Sequence, residues 1–192
     1  MSLEYQRWIN KTPGLFEAIK RQQGRKLESA GLLHLSNADL YALITMRDRI
    51  FQAVSVEGCA ALARGQTPEH AWFSEVMNKI AESDRSFLSG WFDLQKKALI
   101  EAVKAPGPPA PLAAGTEDRD RKLLLDQMVP AERARFIDIS TRLAKGEPSV
   151  SSEDACWWSR ALLVHLRKLG ETAGSQVART LIATGQEAGF MK

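Results

Sequence analysis

Between residues 153 and 169, EDACWWSRALLVHLRKL, one cysteine, two adjacent tryptophans, two arginines and a histidine fall within about four helical turns. Cysteine with histidine suggests a nucleophile and its base. That chemistry needs the two side chains within hydrogen-bond reach. On a helical wheel with Cys156 at 0°, Trp158, Leu162, His165, Leu166 and Leu169 occupy an arc from roughly 180° to 280°. Cys156, Arg160, Leu163 and Arg167 gather near 0°, so a Cys–His pair within this helix is excluded. Two readings of Cys156 stay open. As a reactive or redox-sensing thiol it draws on a helix N-terminus and on Arg160 one turn away, both of which favour the thiolate, against Glu153 and Asp154 beside it. As a structural residue it is a small buried hydrophobe. Trp157 and Trp158 read either as the large apolar surface that fixes this helix in a bundle or as the cover of a bound ligand. His165 reads as a core histidine with one hydrogen bond.

Two further groups break the local pattern. Arg47 and Gly58 fall on the apolar face of a helix spanning 36–64. A buried cation needs a partner, which is either a structural ion pair or an anionic ligand in a cavity lined by Arg47. Gly58 suits a close helix crossing. The second group is the basic run KRQQGRK, with Lys20, Arg21, Arg25 and Lys26 following the apolar Leu15, Phe16 and Ile19. It is either a solvated helix surface or an arm that contacts phosphate or a partner's groove. No glycine-rich phosphate loop, nucleophile elbow or metal-spaced histidines accompany these residues. Expectations are accordingly no catalytic residues, no metal and no cofactor. The acidic clusters at Glu82–Asp84 and Glu117–Asp120 sit where helix starts collect carboxylates.

The elements that must position these residues are helices. Ser36 opens a capped apolar pattern carrying Leu40, Leu43, Ile44, Ile50, Phe51, Val54, Ala61 and Leu62, which stops at Gly65. Thr67-Pro68 begins a second helix and Ser83 a third, with Phe87, Leu88, Trp91, Phe92 and Leu94. Thr116, Pro130 and Ser151 or Ser152 begin three more, and the last runs over 171–184. No alternating run suggests a strand. The expected fold is all-α, a bundle of about seven or eight helices in two unequal parts. A helical part over 1–104, including the basic arm, joins one over 116–192 through the proline-rich connector 105–115, APGPPAPLAAG, whose prolines exclude a helix.

The chain of 192 residues is 44% hydrophobic and 26% charged, enough to build a core and far from a disordered composition. Its net charge of +3 resides in the first 35 residues. There Arg7, Lys11, Lys20, Arg21, Arg25 and Lys26 face Glu4, Glu17 and Glu28, while acids and bases balance elsewhere. That distribution argues against a globally basic nucleic-acid-binding face. No apolar run reaches membrane-span length, and the N-terminus has no signal-like apolar region. The expectation is a soluble, cytoplasmic chain with two free buried thiols at Cys59 and Cys156. The alternative is a mature exported chain in which the two form one bridge. Functionally, the pattern suggests a non-catalytic adaptor or regulatory protein that binds another protein. A helical domain for a small apolar or anionic ligand comes second, with Arg47 or Arg160 beside tryptophan. A nucleic-acid or membrane-surface binder acting through the basic arm comes third.

Overall fold

The computed structural model describes residues 30–66, 70–105, 111–147 and 149–185, and within 70–75 the backbone alone. The basic residues Lys20, Arg21, Arg25 and Lys26, the Thr67-Pro68 start and connector residues 106–110 lie outside the described residues. Eight helices are bounded within them, and no strand occurs among them. They are α1 (Asn37–Ala53), α2 (Val56–Ala63), α3 (His70–Ser83), α4 (Ser86–Lys104), α5 (Thr116–Leu125), α6 (Pro130–Ala144), α7 (Ser152–Lys168) and α8 (Gly170–Thr184). The all-α expectation and its helix number hold.

Local chemistry explains most boundaries. Ser36 caps α1 by accepting from the Asp39 N–H at 3.0 Å, and its own hydroxyl donates to the Asp39 carboxylate at 2.9 Å. Ser151 caps α7 through the Asp154 N–H at 3.0 Å. The helix expected over 36–64 is broken in two. Val54 is extended, and Ser55 accepts from the Gly58 N–H at 3.1 Å, starting α2 with a serine cap of its own. Gly58 therefore stands in a first turn rather than at mid-helix. The expected helix start at Ser83 also moves, because α3 runs through Ser83. Asp84 then takes the Ser86 N–H at 3.1 Å and the Ser86 hydroxyl at 2.6 Å at the head of α4. Thr116 is the first residue of α5 rather than its cap. Between α7 and α8 the chain reverses at Gly170, whose φ of 79° suits glycine.

α7 is the centre of the packing. It lies against α1, α2, α6 and α8, while α8 also packs on α1 and α5, and α3 and α4 pack on α1. One cluster of buried side chains runs through these contacts, including Leu40, Leu43 and Ile44 of α1 and Leu162, Leu163 and Leu166 of α7. Each such side chain contributes roughly 1.5–3 kcal/mol of hydrophobic stabilisation. The backbones of α7 and α8 approach closely at Gly174, where a Cβ would lie 2.3 Å from the Leu166 carbonyl oxygen. Glycine lets the start of α8 fold back against α7.

Polar groups fasten α1 to α7 and α8. Arg160 of α7 donates to the Phe51 and Val54 carbonyls, at 2.8 and 3.1 Å, satisfying oxygens freed where α1 stops. Arg167 of α7 pairs with buried Asp48 of α1. Arg179 of α8 donates to the Asn37 side chain at 2.7 Å and to the Leu35 carbonyl at 2.6 Å. A disulfide joins Cys59 of α2 to Cys156 of α7, both buried. The expectation of two free thiols is corrected here. With its sulfur bonded, Cys156 cannot be the reactive thiol that its helix position suggested.

Candidate binding cleft

α5 packs on α8, and α6 packs on α7, but α5 and α6 touch each other only marginally. The two helices stand apart over the α7–α8 pair and leave a cavity of about 950 Å³ between them. The end of α2 closes one side through Ala63 and Arg64. Phe136 of α6 and Trp158 of α7 form the floor, their rings stacked with centroids 5.5 Å apart and planes at 27°. Leu124, Leu162 and Val177 continue that floor, all buried. Among the described residues no group accepts the Trp158 indole N–H. Such an unmade bond costs about 1–3 kcal/mol, and it stands in the floor of the cleft.

The polar wall is built around Asp120 of α5, only 1% exposed. The Thr180 hydroxyl donates to one carboxylate oxygen at 2.7 Å. Gln176 and Arg119 donate to the other at 3.1 and 2.9 Å. The Thr180 and Gln176 bonds tie α5 to α8. At the rim Glu117 pairs with Arg121 at 2.8 Å, and Glu147 lies 3.6 Å from Arg142. α6 is held to α7 by the stacked rings, by Glu132 against the His165 Nε2 at 2.9 Å, and by Arg135. That arginine bonds Asp154 at 2.8 Å and covers the Trp157 ring at 4.2 Å. His165 is thus the buried, singly bonded histidine expected.

The residues singled out in the sequence are not those of the large cleft. Cys156, Trp157 and Arg160 come together on another face of α7, in a hollow of about 350 Å³ shared with Gln52, Val56 and Glu132. There Cys156 is bridged, Arg160 is engaged with carbonyls, and Trp157 lies beneath Arg135. Arg47 lines neither cavity. It is buried with its guanidinium over the Trp91 ring at 5.6 Å, where an aromatic face receives the charge. Of the two tryptophans, Trp158 is the one that reaches the cleft. The sequence reading missed Arg64, Asp120 and Lys145. Asp120 was taken for a helix-start acid, and its one signal was a carboxylate on the same helical face as Leu124. Among the described residues no group of His, Cys, Asp and Glu is arranged to hold a metal ion, and no helix is long and apolar enough to cross a membrane.

No protein family matches the chain, and neither does any curated protein or solved structure. The cleft's own chemistry is therefore the basis for function.

Proposed function

We propose that this protein is a non-catalytic binding protein whose cleft between α5–α6 and α7–α8 holds a small apolar or amphiphilic molecule. The observation that carries this reading is the cleft itself. Its volume of about 950 Å³ falls within the range of ligand sites, roughly 300–1,000 Å³, and an apolar floor with few polar groups is their usual composition. Asp120, the buried carboxylate, has both oxygens engaged by its own protein, which favours a structural over an acid–base role. The test is a titration with straight-chain alcohols of eight to sixteen carbons, on the parent and on Leu181→Trp, a substitution that places a large ring in the lining. Saturable one-to-one binding that the variant loses is expected. Absence of binding, or equal binding by the variant, would overturn the reading.

A second reading, docking on another protein, is favoured by Val129, a large apolar side chain exposed at the head of α6. In that case Val129→Asp abolishes capture of the partner and leaves alcohol binding intact. The buried Cys59–Cys156 bridge favours maturation in an oxidising compartment, and thus an exported chain over a cytoplasmic one. Alkylation of acid-quenched cells in denaturant without reductant, which exposes buried thiols, tests this. Unmodified cysteines support the bridge, and two alkylated cysteines exclude it.

A further inference from the structure

The charges around the cleft are unevenly matched. Each of its carboxylates has a cation within ion-pair distance: Glu117 has Arg121 at 2.8 Å, Asp120 has Arg119 at 2.9 Å, and Glu147 has Arg142 at 3.6 Å. Two cations in the lining, Arg64 and Lys145, have no carboxylate within 4.0 Å among the described residues. Arg64 caps the end of α2 and spends one of its N–H groups on the Val150 carbonyl, at 2.8 Å. A guanidinium has five such donors in a planar fork, so most of the fork remains for a ligand. Lys145 follows α6 and begins the stretch that Val150 ends. Arg64 and Lys145 are therefore the two uncompensated positive charges in the cleft lining.

We infer that the molecule held in the cleft is an acid: an apolar body on the Phe136–Trp158 floor, with an oxyanion head group, carboxylate or phosphate, met by Arg64 and Lys145. This rests on the cleft being an amphiphile site and adds the charge and orientation of its occupant. An arginine fork fits a carboxylate or phosphate by two parallel bonds, and lysine adds a point charge. A neutral amphiphile of the same length forgoes both interactions. The position of Arg64 depends on α2 lying against α7, where the Cys59–Cys156 bridge fixes it five residues earlier.

The experiment compares dodecanoate, dodecyl phosphate and dodecanol, each below its micelle concentration, on the parent, Arg64→Gln and Lys145→Gln. The acids are expected to bind the parent roughly ten-fold or more tightly than the alcohol. Each substitution should narrow that gap while alcohol binding stays constant. Lys145 makes no side-chain hydrogen bond among the described residues, so its substitution tests the head-group contact even if loss of the Arg64–Val150 bond disturbs the fold. Preference between the two acids identifies the head group as carboxylate or phosphate within the same inference. Equal binding of acid and alcohol, or a gap that both variants preserve, overturns the inference while leaving the cleft as a neutral-ligand site. Failure of all three probes to bind overturns both.

Discussion

α7–α8 and α5–α6 are two helix pairs held in the molecule by different means. The first is tied at many points along its length. A disulfide runs to α2, Arg160 reaches the carbonyls where α1 ends, Arg167 pairs with Asp48, and Arg179 reaches Asn37 and Leu35. The second is tied by few groups, Asp120 on α5 and Phe136, Glu132 and Arg135 on α6. Where α7–α8 and its neighbours close on one another, a continuous core forms. Where α5 and α6 are held separately, a cleft remains between them. Attachment, rather than amino-acid type, separates frame from cleft wall.

The largest way to break the contrast is to cut the frame's covalent tie. The disulfide spans 97 residues, a separation for which chain entropy alone gives about 4–5 kcal/mol. Cys59→Ser with Cys156→Ser should lose a comparable amount in urea unfolding, and the parent should lose it on reduction. A loss below about 1 kcal/mol would mean that packing holds α2 without the bond. Next comes Gly174→Ala, whose new Cβ meets the Leu166 carbonyl and forces α8 outward, for about 1–3 kcal/mol by thermal unfolding. An unchanged melting temperature would show that α8 shifts freely.

Thr180→Val sharpens the comparison on the other pair. It removes the hydroxyl that donates to Asp120 and should cost about 1–2 kcal/mol. The loss should appear as faster amide exchange in α5 well before α1 responds. Uniform acceleration would make α5 part of the frame. The smallest effect lies at Asp39, whose carboxyl is held below its ordinary value of 3.8 by the Lys97 hydrogen bond first, against partial burial, with Ser36 assisting. A depressed folded value makes the contribution present above 3.8 and lost as pH falls through the folded value. Lys97→Met should therefore cost a few tenths of a kcal/mol at neutral pH, screened by salt, and nothing once Asp39 is protonated. The same cost at pH 2 as at pH 7 would exclude the ion pair as its source.

How much of this was legible beforehand follows from the range of each signal. Ser36, Ser151 and Pro130 act on backbone within one turn, so a string of residues displays them. Ser55 acts equally locally, yet it hides inside an apolar run that reads through it. Only Arg160, over a hundred residues further on, shows what meets the carbonyls freed at that break. The same arginine looked like an anion site because its partners were out of view. Cys59 and Cys156 carry nothing in their spacing that pairs them. The cleft was the least visible feature, since its walls come from five helices between Ala63 and Gly185 and no single stretch contains its pattern.

The Cys59–Cys156 bridge also changes what proteolysis can do to the molecule. Everything from the end of α2 to the start of α7, the connector included, lies inside the loop that it closes. A peptide bond cut once at the connector leaves α1–α4 and α5–α8 as two polypeptides but one covalent body, with the mass of the intact protein plus one water. On a non-reducing gel the nicked species runs as a single band, and only thiol treatment releases the two pieces. A scissile site engineered into the connector would thus sever the backbone between the halves without parting α2 from α7.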